Sequence, residues 1–188
     1  MRFFVKPAAF LAANWAAMLG ILTIAGIVPA LSGATRVTGD LRQYEDSAFR
    51  SALTHIRRTL RRDAPASLLL LLVAGGIAGN SLLLPQLDTS VRVFVVGLLL
   101  PVLWVLVSLL SAYVVVAARS GDMTREEVVL GAMALVLRRP VAALLAPAFI
   151  ALLSPLWLLA PLTIACGFSI PPWILDRLWT SSGGKGQG

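Results

Sequence analysis

The chain has 188 residues, 58% of them hydrophobic and 13% charged, with sixteen Lys and Arg against nine Asp and Glu for a net charge of +7. A water-soluble domain of that composition would aggregate, and four or five membrane helices would use up the length without leaving room for a separate globular domain. The excess positive charge flanks apolar stretches, where anionic headgroups rather than nucleic acid attract it, and one cysteine, Cys166, with one histidine, His55, excludes an intrachain disulfide and any metal site built on cysteines or paired imidazoles.

No Asp, Glu, Lys or Arg interrupts residues 7–35, 64–87, 93–118 or 140–175. Each blank exceeds the roughly 20 apolar residues of helix that cross a bilayer core of about 30 Å. The first stretch, Ala8 to Leu31, is too long for the apolar region of a secretory signal and reads as a retained span ending near Pro29. Residues 66–84 and 93–118 read as second and third spans, made antiparallel neighbours by the short turn from Pro85 to Ser90. The last block is broken by Pro147, Pro155, Pro161, Pro171 and Pro172. It is either one kinked helix with an interfacial piece or, the favoured reading, a hairpin turning between Ser154 and Pro161 that brings Asp176 and Arg177 back to the side it left. Residues 1–180 form one integral membrane domain, and the Gly/Ser tail 181–188 is expected to be disordered.

Loop charge sets the orientation. Residues 36–63 carry seven arginines and residues 119–139 four, so these segments are expected in the cytoplasm; Arg2, Lys6 and Arg92 are left for the opposite face, with the N-terminus outside. Both basic segments are expected to hold a helix of their own. Between Ser47 and Arg62, Ala48, Phe49, Ala52, Leu53, Ile56 and Leu60 recur at helical spacing with Arg50, Arg57 and Arg61 on the other side, the pattern of an amphipathic helix lying on the membrane surface. Thr124 and Glu127 form a capping box that opens a second interfacial helix over 125–137. Leu60-Arg61-Arg62-Asp63 and Leu137-Arg138-Arg139-Pro140 precede apolar blocks in the same way, which raises a parallel duplication of span, surface helix and span. The expected fold is therefore an all-α polytopic membrane helix bundle with four to five transmembrane helices and two cytoplasmic-side interfacial helices.

Polar residues within the spans include Asn14, Asn80, Ser108, Tyr113 and Thr163, with no carboxylate or histidine among them, which counts against proton-coupled transport. Asn14 is expected to hydrogen-bond between helices, and Gly75 with Gly79 forms a GxxxG step suited to close helix approach, within the chain or between copies. Gly183-Gly184-Lys185-Gly186 lacks the hydroxyl residue and the helix that a phosphate loop requires. No catalytic, metal or cofactor-binding residue is assigned, no cofactor is expected, and the chain is read as a non-enzyme. The candidate site is a contact surface for anionic headgroups or a protein partner, made by Arg50, Arg57, Arg58, Arg61, Arg62, Arg138 and Arg139.

Asn14-Trp15, Pro29-Ala30, Gly39-Asp40, the run from Ile56 to Asp63 and the step Arg139-Pro140 together resemble the YesL-like family of bacterial integral membrane proteins, a domain of unknown function, over most of the chain. The chain departs from it in carrying Ile56 and Leu60 where the family favours aromatics and Asp63 where it favours Asn. The resemblance implies a bacterial inner-membrane location and a non-catalytic accessory or regulatory role beside ABC-transporter permease subunits for carbohydrates. The chain does not itself carry a permease's coupling motif, since Glu126-Glu127-Val128-Val129-Leu130-Gly131 fails the pattern. The alternative expectation is an autonomous small transporter or channel, acting as a homo-oligomer because four or five helices enclose little space.

Overall fold

The computed structural model describes residues 5–41, 43–44, 46–119 and 121–180, and every regular element among them is helical. Arg2 and the tail 181–188 lie outside the described residues. Helix α1 (Val5–Ile21) and helix α2 (Ile27–Gly39) are separated by a 3-10 turn at Ile24–Gly26. Helix α3 (Ala48–Leu83) leads through a 3-10 turn at Leu84–Gln86 into α4 (Thr89–Arg119). Then come α5 (Arg125–Arg138), α6 (Pro140–Leu153), the single turns α7 (Pro155–Leu158) and α8 (Ala160–Leu162), a π-helical turn at Thr163–Gly167, and α9 (Ile170–Thr180).

The expected first span is not a single helix. Thr23 is extended (φ −97°, ψ 123°), its hydroxyl donates to Gly20 O at 2.8 Å, and Gly26 N donates back to Thr23 O at 2.8 Å. Gly26 permits this turn, because a Cβ there would stand 2.2 Å from Gly20 O. Beyond it α2 doubles back along α1: Gly20 lies against Ala30, while Ala9, Ala13 and Ala16 share a buried cluster with Val37. Pro29 does not end the helix as expected. It sits in the first turn of α2, where a missing N–H leaves no intrahelical bond unmade. The N–H of Val28 in that turn is taken by Ser67 Oγ at 3.0 Å, and the same hydroxyl donates to Ala25 O at 2.9 Å. The fold-back puts the start of α1 and the end of α2 at one pole, the one that carries Arg36.

Of the two expected interfacial helices, α5 stands alone and the other does not. The amphipathic run from Ala48 to Arg62 is the first part of α3, whose 36 residues reach about 54 Å without interruption. Pro65 sits inside α3, and Ala64 before it stays helical, whereas Pro140 follows Arg139 at φ −132° and ψ 65°, outside the helical region. The two arginine steps that suggested duplication are thus one helix interior and one helix boundary, and the structure does not repeat there.

Three helical stretches are long and apolar enough to cross a membrane: Ala48–Gln86, Thr89–Arg119 and Pro140–Trp157. Packing is uneven among them. Helix α2 is central and touches α1, α3, α4 and α9. The main core joins Val28 of α2, Tyr113 and Val115 of α4, Val128 and Ala132 of α5, Ala142 and Ala146 of α6, and Trp179 of α9. Between Leu68 and Val107, by contrast, Val73 is the single buried residue. Leu72 and Leu82 are 73% exposed and Phe94 70%, so the α3–α4 hairpin projects beyond the rest of the molecule with its apolar surface uncovered.

After α6 the chain turns at Ser154 and α9 comes back against α6 and α4. Trp157 Nε1 donates to Gly167 O and Thr163 Oγ1 to Leu156 O, both at 2.8 Å, which closes the turn. Asn14, fully buried on α1, ties the returning segment to the first hairpin: its Nδ2 donates to Ile164 O at 2.8 Å and its Oδ1 accepts from Phe168 N at 2.8 Å. The Asn14 amide thus supplies both a donor and an acceptor to the backbone of the π turn, whose Phe168 N–H also reaches Cys166 O. The expected interhelical role of Asn14 is what the structure contains.

Candidate functional site: the arginine pole

The C-terminal end of α4 is a set of carbonyls with no N–H partners further along the helix, and cations satisfy such groups. Arginines from α2 and α3 do so here. Arg36 donates from Nη1 to Ala118 O at 3.3 Å and from Nε to Tyr44 Oη at 3.2 Å. Arg62 donates from Nη2 to Ala117 O at 3.5 Å and from Nη1 to Met123 O at 3.2 Å. Arg58 pairs with Asp122 in the α4–α5 turn.

Asp63 is the hub beneath them. It is wholly buried, takes a forked contact from Arg62 (Nε to Oδ1 at 2.7 Å, Nη2 to Oδ2 at 3.0 Å), and accepts from Tyr113 Oη at 2.8 Å. A carboxylate without water requires such partners, and the fork supplies two charge-assisted bonds in one plane. On the side of α3 that faces α2, His55 is 5% exposed with its Nε2 3.3 Å from Ser32 Oγ. At the far side of the pole, Arg119 stands 4.0 Å from Asp176. Burial pushes the Asp176 carboxyl above its usual range, against the opposing pull of Arg119 and Arg177.

The expected contact residues therefore divide. Arg62 is spent on Asp63 and on the end of α4, and Arg139 donates to Trp179 O, which clamps α9 to the start of α6. Arg50, Arg57, Arg58, Arg61 and Arg138 are exposed, and Arg58 among them holds Asp122. Arg36 was not expected in the site, and nothing in its local sequence separates it from other basic residues. Asp63 carried a signal, as an acid adjoining an arginine at the edge of an uncharged block. Thr124 and Glu127 form the expected capping box, with Thr124 N donating to Glu127 Oε2 at 2.7 Å and Glu127 N to Thr124 Oγ1 at 3.3 Å.

Three cavities open at this pole. One of about 310 Å³ lies between α2, α3 and the α4–α5 turn, one of about 720 Å³ between Arg61 and Arg125, and one of about 470 Å³ between Gly39, Arg119 and Asp176. Among the described residues no three His, Cys, Asp or Glu side chains converge as metal ligands would. Comparison with protein-family models, with curated proteins and with solved structures found no match.

Proposed function

We propose that the chain is a non-catalytic subunit of the membrane that associates with a transporter, contacting it through the α3–α4 hairpin within the bilayer and through the exposed arginines of α3 beside it. The observation that carries this reading is the hairpin. Gly75, Gly76, Gly79 and Gly97 have no neighbour within 4 Å of where a Cβ would stand, so the face able to admit another helix at short range is unused inside the chain. Arg50, Arg57 and Arg61 lie on the same helix, one bilayer interface away, and suit an acidic surface on the same partner.

In this reading α3, α4, α6 and the segment 160–175 make four crossings, and α1–α2 enters and leaves from the arginine side. The N-terminus then shares the cytoplasm with residues 36–63 and 119–139, so that Arg2 and Lys6 count with the basic loops under the loop-charge rule and the conflict that an outside N-terminus creates is removed. A carbohydrate transporter as the partner and the bacterial inner membrane as the location rest on the resemblance to the YesL-like family.

The experiment is crosslinking of the tagged chain in its native membrane during growth on several carbohydrates, followed by purification. Recovery of permease subunits in near-stoichiometric amount supports the reading. Recovery of the chain with itself alone, together with sugar or ion flux in liposomes, would replace it with an autonomous oligomeric transporter or channel.

A further inference from the structure

The cavity of about 310 Å³ at the arginine pole has a chemistry that the partner reading does not use. It is bounded by Arg36, Arg50, Thr54, His55, Arg58 and Asp122 among others. Three guanidiniums against one carboxylate make it a positive, open pocket, and their state of engagement differs. Arg36 is held by Ala118 O and Tyr44, and Arg58 by Asp122. Arg50 and the Thr54 hydroxyl have no hydrogen-bond or ion-pair partner among the described residues, and both are exposed at the cavity mouth.

The floor is His55, and the tautomer that satisfies both contacts of the Ser32 hydroxyl carries its proton on Nε2. Ser32 Oγ has one hydrogen, donated to Pro29 O at 3.0 Å, so toward Nε2 of His55 at 3.3 Å the hydroxyl oxygen acts as acceptor. In that tautomer Nε2 donates and Nδ1 of the neutral ring is an acceptor. Nδ1 has no hydrogen-bond partner among the described residues and lies 3.8 Å from where a Cβ on Gly121 would stand, on the cavity side of the ring. A side chain 5% exposed thus turns an unmatched, solvent-accessible acceptor onto an open pocket lined with cationic donors.

We propose that this cavity binds a phosphate group that retains an acidic proton, with Arg50, Thr54 and the two anchored guanidiniums contacting its oxygens and its P–OH donating to Nδ1 of His55. Carboxylates and sulfate satisfy the guanidiniums but bring no proton to Nδ1 at neutral pH. Free inorganic phosphate keeps a proton even as its dianion, and the phosphomonoester headgroup of a lipid meets the same requirement as its monoanion. The inference stands on the cavity alone and does not rest on the association with a transporter.

The test uses the full chain in phosphatidylcholine nanodiscs, titrated calorimetrically with inorganic phosphate and with sulfate near pH 7, and again in nanodiscs containing phosphatidic acid. Saturable phosphate binding is expected, about tenfold tighter than sulfate, the worth of one added hydrogen bond. Arg50→Gln should weaken phosphate about tenfold, since one charge-assisted contact is lost from a residue with no structural partner. Arg57→Gln, outside the cavity, should change it less than twofold. Loss of free-phosphate binding in the phosphatidic acid nanodiscs would identify the lipid headgroup as the source, and unchanged binding the free ion. Equal weakening by Arg50→Gln and Arg57→Gln, equal affinity for sulfate, or no binding of either phosphate form would overturn the site.

Discussion

At the arginine pole, Arg36, Arg58, Arg62, Asp63 and Tyr113 satisfy one another and the carbonyl end of α4, whereas between Leu68 and Val107 on the same two helices Val73 alone is buried. The difference shows which solvent each part is built for. Next to water and headgroups, polar side chains compete with outside partners, and the chain answers with forked and buried contacts of its own. In hydrocarbon there is no hydrophobic force between helices, so apolar spans hold together by close packing or not at all. The hairpin has the glycines for close packing and, among the described residues, nothing within 4 Å of where their Cβ atoms would stand.

The largest effect should come from removing Asp63, the hub of the pole. Asp63→Ala leaves Arg62 without its carboxylate in a site 10% exposed, and a loss of about 3–5 kcal/mol is expected in reversible unfolding in mixed micelles. Retention of normal stability would show that the pole is not what holds α3 to α4. Asn14→Leu comes next, at about 1–3 kcal/mol, because Ile164 O and Phe168 N lose the Asn14 amide that ties the π turn to α1. Gly79→Leu should sharpen the contrast. With open space around that position, unfolding should move by less than about 0.5 kcal/mol while recovery of the partner falls several-fold.

The smallest effect concerns Asp176 at the rim. Its carboxyl is raised by burial, so its contribution to stability is fully present below the unfolded value of about 3.9 and is lost as pH rises through the higher folded value. Asp176→Asn should therefore be the more stable protein at pH 7, and titration of the melting temperature should show the advantage shrinking as pH falls toward 4. A constant difference across that range would mean that Asp176 and Arg119 are bound together too well for burial to matter.

Much of this contrast was legible in the sequence, for identifiable reasons. Long uncharged blocks register spans through composition alone, and the capping box at Thr124 and Glu127 is a local device whose partners are three residues apart. The break at Thr23 was not legible, because an apolar run with scattered glycines is equally compatible with a straight helix and with a fold-back. What decides is Gly20 and Gly26 admitting close approach and Ser67, about forty residues away, capping the new N-terminus. The continuity of α3 was missed for the converse reason. Charge changes abruptly at Asp63, but a helix ends where its hydrogen bonds end, and Asp63 is held within the bundle by Tyr113, fifty residues on. The division of the arginines into structural and exposed sets depends on the same long-range contacts.

The claim that the hairpin is a contact surface is tested most directly by placing a photo-crosslinking residue at position 76 and irradiating cells with the native membrane intact. The account predicts one discrete higher-mass adduct containing a second membrane polypeptide, abolished by Gly79→Leu. Labelling of lipid alone from position 76, with no protein adduct in membranes where the chain is functional, would contradict it.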